Sequence, residues 1–517
     1  MIKMATKKET NEKKKGTTID TRHVPFHRRV GMRLMELPDQ SQLRIKPGPE
    51  ESQIPVLPIH HMFDKAHLVM LAEQGIIPKN DSAAMLRAFR QLEKEGVVEG
   101  RLRVGAGMFS GEKYLIEVLG EEVGGLIHIG RSTGDMVGVS IRVKLREELL
   151  DLIDKVIQYN ETLLKLAEKH ALTIIPTYTN MMEAETTSFA HYLLAFVYKA
   201  DRAIDRLEDI YGSVNRSPAG AAIGTGSPIP LSRERQAELL GFDEVIVNTY
   251  EAISTENKSY IIDAFGGLAL LMCSVEKLLS DMYIWITDEF DMIDIADRFC
   301  GTSSIMPQKK NTHASMVVGD FAHKVYGLMT KVLFDETAII AWPRGADILA
   351  CTNDCAIGLE IASSVMASVK IKENHAKRNL NQHWAAAVDL ADAMVKELGL
   401  SFRTAHQIVA ILVRHAVEKD IGQADLSNDM IKQASMEYFG KPLELKKETI
   451  RKVLDPVERI KARTLTGGPA PENTTKQIKQ CYESLKLHKK FVSERRGALD
   501  AAARKLEQSI DKLLGSK

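Results

Sequence analysis

The spacing of apolar and polar positions along the chain predicts long helices. One apolar seam has steps of four and three between its members, which are Ile141, Leu145, Leu149, Leu152, Val156, Tyr159, Leu163 and Leu166. This spacing is that of a helix packed in a bundle or a coiled coil. A second apolar tract, 261–285, contains the pair Gly266 and Gly267, which would permit close helix approach or a kink.

The distribution of proline supports an all-α fold. The tracts 79–175, 231–306 and 344–441 contain no proline and no strand-like alternation of apolar residues, so they predict further helices. We predict three helical domains that follow a disordered, basic tail. The tail covers 1–22, the N-terminal helical domain 23–127, the central long-helix bundle 128–385 and the C-terminal helical domain 386–517.

Composition narrows the class of protein and its partners. In a chain of 517 residues, 69 Lys and Arg balance 69 Asp and Glu, so the net charge indicates neither a nucleic acid nor a membrane as partner. The most apolar run, 264–275, is too short to span a bilayer, and the amino end lacks a signal-type apolar core. Five cysteines, none in Cys-x-x-Cys spacing, indicate a reducing compartment. We expect a cytoplasmic protein without metal or organic cofactor.

Small, polar and basic residues are concentrated between Phe299 and Asn311. We interpret this stretch as a mobile loop, because Gly and hydroxyl residues resist regular structure and Pro307 ends any helix that enters it. Asn311 is predicted to cap the apolar-periodic segment that begins at Met316. A helix N-terminus beside two lysines attracts carboxylate or phosphate. Ser303 near such an anion site suits proton removal next to a carboxylate, and an ordinary surface loop is the alternative.

The order of residues in this loop resembles a known signature. Ser-Ser-Ile-Met-Pro-Gln-Lys-Lys-Asn, which begins at Ser303, is similar to the signature loop of the fumarase, aspartase and argininosuccinate lyase superfamily. The Gln-Lys-Lys version resembles the argininosuccinate lyase branch. The resemblance implies that Ser303 is the catalytic base and that Lys309, also catalytic, holds a substrate carboxylate together with Asn311. Ser304 and Met306 complete the substrate-binding residues predicted in this loop.

The resemblance extends over roughly residues 60–480. The stretches that carry it outside the loop are Arg233-Glu234, 237–242, Asp389-Leu390-Ala391-Asp392, 402–406 and 467–471. It implies an all-helical homotetramer whose active sites are each assembled from three subunits. The implied partners are other copies of the chain and a small carboxylate substrate.

The first active-site segment, which starts at His128, keeps only part of the family pattern. Arg131, Ser132 and Asp135 match the family motif, whereas Thr133 and Gly134 replace an Arg and an Asn that contact the succinyl part of the family's substrate. We predict that Arg131 and Ser132 bind substrate. The alternative for Arg131 is a structural ion pair with Asp135 or with a carboxylate of the bundle.

The family's proton relay is absent. The segment that ends in Thr179 and Asn180 matches a family motif whose last residue is a proton-carrying His, and Met316 replaces the Glu that orients that His. We predict that Thr179 and Asn180 contact the substrate. Candidates for another acid are His191, His313, Glu183 and Glu185. Alternatively, the leaving group departs as a stable anion and needs no acid.

Further substitutions fall where the family holds the amino-acid end of its substrate. Trp342 and Arg344 lie in this stretch and are predicted to contact a different ligand, with core packing as the alternative for Trp342. Asp64 stands where the family has a Ser.

These departures favour a carbon–nitrogen lyase that performs β-elimination, or the reverse addition, on an amine–succinate adduct and releases fumarate. Argininosuccinate itself is then not the substrate. The alternative is a catalytically inactive relative that acts as a binding or structural protein. An active argininosuccinate lyase with a rearranged site is a third interpretation.

Overall fold

The structure is a computed structural model that describes residues 54–253, 259–337, 345–382 and 384–515. Three predicted features lie outside these residues: the tail at 1–22, Trp342 and Arg344. The described residues form α-helices joined by short strands, so the predicted all-α class is confirmed.

The helices, in chain order, are α1 (Leu57–Glu73), α2 (Lys79–Glu95), α3 (Val97–Arg103), α4 (Ser110–Leu119), α5 (Glu121–Gly124), α6 (Thr133–Lys169), α7 (Phe189–Val214), α8 (Arg233–Leu240), α9 (Ser259–Ile286), α10 (His313–Thr337), α11 (Gly345–Ala367), α12 (Glu373–Gln382), α13 (Ala387–Leu398), α14 (Phe402–Glu418), α15 (Asn428–Phe439), α16 (Lys447–Leu454), α17 (Pro456–Ala462) and α18 (Pro471–Leu514). Short 3₁₀ turns cover Ile54–Val56, Gly125–His128, Asp297–Phe299 and Gln423–Asp425.

The strands form four small pairs. They are β1 (Ile174–Thr179), β2 (Met182–Ser188), β3 (Arg216–Ser217), β4 (Glu244–Val245), β5 (Ile293–Asp294), β6 (Cys300–Thr302), β7 (Lys310–Thr312) and β8 (Lys370–Ile371). The pairs β1–β2, β5–β8 and β6–β7 are antiparallel, and β3–β4 is parallel. Two of these pairs, β1–β2 and β6–β7, are hairpins that carry predicted site residues.

The chain divides into two compact units. The first contains residues 1–140, 218–240 and 503–517, and the second contains 141–217 and 241–502. In the first unit, α1 packs against α2, α3 and α8. Buried Gln236 of α8 ties this packing together, since its Nε2 lies 2.6 Å from Nδ1 of His67 on α1. The division into three domains stays a prediction.

In the second unit, the apolar seam predicted for α6 is buried. Leu145, Leu149, Leu152, Val156 and Leu163 are all 0% exposed. A seam of this length stabilises the helix through tertiary burial rather than through intrinsic propensity.

Helix α9 packs against α7, α10 and α11. At Gly267 an added Cβ would lie 2.5 Å from Cδ1 of Ile210 on α7, whereas Gly266 has no neighbour within 4 Å. The close approach predicted for the glycine pair therefore occurs at Gly267.

Helix α11 is, within the described residues, the one helix long and apolar enough to cross a membrane, with a mean hydropathy of 1.2. Its inner face is buried at Ile348, Cys355 and Leu359, and it packs on α9 and α10. A core helix passes the same test of length and composition.

A second apolar core lies among the carboxy-terminal helices α13 to α16. Its buried members include Leu390, Met394, Ile408, Leu412 and Ile431. The helical periodicity predicted for 386–398 and 402–419 is thus confirmed.

A buried histidine joins α18 to α7. His488 is 5% exposed, and its Nδ1 lies 2.7 Å from Oε1 of Glu208 while its Nε2 lies 3.3 Å from Oδ1 of Asp201. Burial alone would lower the pKa of His488, but the hydrogen bonds to the two carboxylates outweigh it and raise the pKa to about 9. The folded state therefore holds this imidazole in its charged form at neutral pH.

We predict that His488→Gln destabilises the protein below about pH 9, with the full effect below pH ~6.5. Because the pKa is higher in the folded than in the unfolded state, the contribution of His488 is complete below pH ~6.5 and is lost as pH rises through about 9. The expected loss in the free energy of unfolding is about 1–2 kcal/mol at pH 6 and near zero at pH 10. Thermal unfolding at both pH values measures it.

The matched control is His323→Gln. His323 also faces a carboxylate, with Nε2 2.9 Å from Oε1 of Glu276, but its side chain is 65% exposed, so we expect little effect. A loss of stability for His488→Gln that is equal at pH 6 and pH 10 would contradict the prediction.

Candidate active site

The signature loop is the tip of the β6–β7 hairpin. Gly301 pairs with Asn311 and Thr302 pairs with Lys310, which leaves residues 303–309 as the connection. Ser303, Ser304, Met306, Lys309 and Asn311 are therefore carried by one hairpin. The predicted role of Asn311 as a helix cap is wrong, because its backbone belongs to the ladder and α10 begins at His313 rather than at Met316.

The hydroxyl of Ser303 is held by a local turn. Its Oγ accepts hydrogen bonds from the backbone N–H groups of Ile305, at 3.3 Å, and Met306, at 3.1 Å. Two N–H donors aimed at one oxygen favour a negative charge on that oxygen. The turn therefore supports the alkoxide form that a serine base needs.

The two lysines of the loop have different surroundings. Lys310 anchors the hairpin, because its Nζ lies 2.8 Å from Oδ1 of Asp294, 2.6 Å from the carbonyl of Ile295 and 2.9 Å from Oδ1 of Asp297. Burial lowers the pKa of Lys310, but the two carboxylates outweigh it and raise the pKa. The backbone N–H of Lys309 donates to the carbonyl of Met306 at 3.1 Å, whereas its exposed side chain makes no hydrogen bond or ion pair with any residue that the structure describes. The side chain of Lys309 is thus available to a ligand.

The second predicted segment is the tip of the β1–β2 hairpin. Thr179 pairs with Met182, and Asn180 and Met181 between them have φ values of 51° and 64°. A two-residue connection with both φ values positive is the turn that suits the twist of a hairpin, and Asn tolerates it well. Thr179 and Asn180 are both exposed at this tip.

Two of the candidate acids are occupied by structural contacts. His191 has Nδ1 2.9 Å from Oγ1 of Thr187 and Nε2 2.9 Å from the carbonyl of Gly467. Glu185 accepts a hydrogen bond from Nη2 of Arg463 at 2.6 Å. Burial raises the pKa of Glu185, which the guanidinium opposes. These contacts engage both ring nitrogens of His191 and one carboxylate oxygen of Glu185, and they tie α7 and β2 to the segment around Arg463 and Gly467.

Arg131 belongs to a buried cluster in the first unit. Its Nη1 donates to Oδ1 of Asp64 at 2.5 Å, and Arg101 donates to the other carboxylate oxygen. All three side chains are at most 1% exposed. Burial alone would raise the pKa of Asp64, but the two guanidinium groups hold it below its usual range. Within the described residues, Nε and Nη2 of Arg131 have no hydrogen-bond partner.

The structural ion pair that was the alternative for Arg131 is present, with Asp64 as its carboxylate. Asp135 does not pair with Arg131 but accepts hydrogen bonds from the backbone N–H groups of Ser132, at 2.8 Å, and Ala222, at 3.2 Å. The Ser132 hydroxyl donates to the Ala222 carbonyl at 2.6 Å. The sequence did not predict that Arg101 belongs to this buried cluster, because no recognisable motif surrounds Arg101.

The described residues contain no group of three or more His, Cys, Asp or Glu side chains that could hold a metal ion.

Comparisons with known proteins agree with this architecture. The family model described as Lyase matches residues 62–327, and the one described as Argininosuccinate lyase C-terminal matches 384–461. Argininosuccinate lyase from Methanocaldococcus jannaschii is 33% identical over 84% of this chain and 90% of its own length. That from Methanosarcina acetivorans is 33% identical over 93% of this chain and 97% of its own.

Solved structures show the same fold. EDDS lyase in complex with formate superposes with a TM-score of 0.82 at 28% identity, covering 93% of this chain and 99% of that one. A variant of EDDS lyase with bound fumarate has a TM-score of 0.82 at 28% identity, covering 91% and 96%. The family models, the curated relatives and the solved structures all place the chain among the lyases. The chain belongs to the argininosuccinate lyase-like branch of the fumarase/aspartase superfamily, and it is a carbon–nitrogen lyase.

We predict that Asp64→Asn strongly destabilises the protein. The substitution leaves Arg101 and Arg131 buried without a counter-charge, and loss of one partner of a buried ion pair costs about 3–5 kcal/mol. Urea unfolding followed by circular dichroism measures the change.

The control is Asp354→Asn. Asp354 pairs with Lys324, whose side chain is 45% exposed, and we expect a loss below about 1 kcal/mol. Equal losses for the two variants would show that the buried cluster contributes no more than a surface ion pair.

Proposed function

We propose that this lyase eliminates an amine from an amine–succinate adduct to release fumarate, or performs the reverse addition. The observation that carries the proposal is the hairpin tip, where two N–H groups hold the Ser303 hydroxyl on the same connection that carries the unpaired side chain of Lys309. Ser303 removes a proton from Cβ. Lys309 and Asn311 bind the adjacent carboxylate, which becomes an enolate-like dianion during the reaction.

Other residues are proposed to position the substrate. Thr179 and Asn180 are presented on an exposed hairpin tip. Arg131 is proposed from the family resemblance, since its side chain is 1% exposed and its Nε and Nη2 are buried groups without a partner among the described residues. The remaining proposed contacts are Ser132, Ser304, Met306, Trp342 and Arg344.

The proposed substrate is an adduct other than argininosuccinate. Thr133 and Gly134 replace side chains that the family uses on the succinyl part, and Asp64 uses both carboxylate oxygens on Arg101 and Arg131. EDDS lyase, which has this fold, is a relative whose name indicates another substrate. A different amine is therefore the simplest account of these substitutions.

A binding protein without turnover is the second candidate. Asn180 and Met316 favour it, because Asn180 cannot carry a proton as the family's His does, and Met316 cannot orient such a group as the family's Glu does. The Ser303 turn and the unpaired Lys309 favour the enzyme.

We propose that copies of the chain assemble into a homotetramer in the cytoplasm. The helices α9, α10 and α11 expose large apolar side chains: Leu270 is 55% exposed, Met316 63%, Phe334 71% and Ile357 39%. Neighbouring exposed apolar groups on packed helices are typical of subunit interfaces. Five free cysteines support a reducing compartment.

The reaction is tested with fumarate and a panel of ammonia, primary amines, diamines and amino acids. We expect fumarate absorbance to fall with at least one amine, and Ser303→Ala to lower the rate about 10²–10⁴-fold, because it removes the proposed base. The control is Ser493→Ala, on an exposed position of α18, which we expect to keep full activity.

No consumption of fumarate with any amine, by a folded and tetrameric protein, would contradict the lyase proposal. Stabilisation of that protein against heating by fumarate would then support the binding-protein candidate.

The assembly is tested by light scattering. We expect a mass of about 230 kDa, four times the chain mass of 57.6 kDa. Phe334→Glu places a charge on the proposed interface and should give smaller species. Val417→Glu, at a site 68% exposed on α14, is the control and should leave the tetramer intact. A single-chain mass for the unaltered protein would exclude the assembly.

A further inference from the structure

The proposed elimination needs a group that carries a proton. Ser303 acts as a base only after its own hydroxyl proton has moved elsewhere, and the leaving nitrogen must gain a proton. Asn180 and Met316 occupy the two positions at which the family has its relay, and neither side chain titrates near neutral pH.

An imidazole lies against the strand that leads into Ser303. If Gly301 carried a Cβ, that atom would lie 2.4 Å from Cε1 and 2.9 Å from Nδ1 of His313. The β6–β7 register explains this contact, because Gly301 faces Asn311 and Cys300 faces Thr312, directly before His313. The ring therefore occupies the space that the absence of a side chain at Gly301 leaves open, two residues before Ser303.

His313 is also chemically available. It is exposed at the first position of α10, and no residue that the structure describes hydrogen-bonds to its ring. In contrast, both ring nitrogens of His191 are engaged, and Glu185 is paired with Arg463. His323, farther along α10, faces Glu276.

We propose that His313 is the proton carrier of this lyase, an inference that rests on the proposed elimination. Neutral His313 accepts the hydroxyl proton of Ser303, directly or through one water, and the resulting alkoxide takes the proton from Cβ. The electron pair left on the carbon is held by the carboxylate that Lys309 and Asn311 bind.

The second half of the reaction restores both residues. The C–N bond breaks, its electron pair stays on the nitrogen, and the imidazolium of His313 gives the nitrogen its proton while the C=C bond of fumarate forms. Ser303 keeps the proton from Cβ and is again a hydroxyl, and His313 is again neutral. Atoms and charges balance without any further reactant.

The direct test is His313→Ala, assayed with fumarate and the amine that the unaltered chain consumes. We expect kcat/KM to fall about 10²–10⁴-fold, because the proton carrier is lost. Free imidazole added to the assay should restore part of the rate in proportion to its concentration. Restoration distinguishes a proton carrier from a residue that only shapes the loop, since imidazole in solution cannot repair packing.

An independent variant displaces the ring without removing it. Gly301→Ala introduces a methyl group whose three nearest neighbours are ring atoms of His313, and the strand backbone at Gly301 accepts alanine. We expect a loss of at least tenfold in kcat/KM. The matched control is Gly327→Ala on α10, where an added Cβ meets nothing within 4 Å, and it should retain full activity.

The outcomes separate the two proposals. An unaltered chain that consumes fumarate, together with a His313→Ala variant of undiminished activity or one that imidazole does not restore, would overturn the role of His313 alone. An unaltered chain that consumes no fumarate with any amine would overturn the elimination, and the role of His313 with it.

Discussion

Burial of continuous apolar seams along very long helices is the constraint on which the second unit depends. Helix α6 is 37 residues long and α9 is 28, and helices of this length satisfy their own backbone hydrogen bonds. Their stability comes from the removal of side chains such as Leu145 and Leu152 from water. The loops and hairpins that carry polar chemistry are then free to project from a rigid set of helices.

The β6–β7 hairpin is held by ionic contacts at its base. Lys310 spans Asp294, Asp297 and a backbone carbonyl, which fixes β7 without covering the tip. Apolar packing of the tip would have hidden Ser303, whereas ionic anchoring leaves it accessible. Strong positioning at the base and exposure at the tip together suit a site that binds a charged substrate.

Local structure accommodates the positions at which this chain departs from the family pattern. The turn that holds the Ser303 hydroxyl is present, while the position of the family's proton-carrying His holds Asn180, a residue well suited to the positive φ of its turn. Asp64 likewise does not remain as an isolated carboxylate facing a ligand but is neutralised by two buried arginines. Asn180 and Asp64 therefore both fit their local structure.

The amino-acid sequence by itself determined the helical class, the seam of α6 and the residues of the signature loop. These features are local. Helical periodicity depends on residues three or four positions apart, and the residues of the loop are contiguous in the chain. The sequence also showed that Asn180 and Met316 replace the residues of the family's relay, because a comparison with the family motif shows which positions differ from it.

Tertiary structure alone decided which of the adjacent lysines is free, which carboxylate Arg131 pairs with and which histidine lies beside the loop. Asp64 is 67 residues away from Arg131, and the acceptors that engage Lys310 lie in and after strand β5, 13 to 16 residues earlier in the chain. The sequence made His191 a candidate acid, whereas in the fold its Nε2 contacts the carbonyl of Gly467. Contacts of this kind arise when distant segments pack together, and no local pattern of residues encodes them.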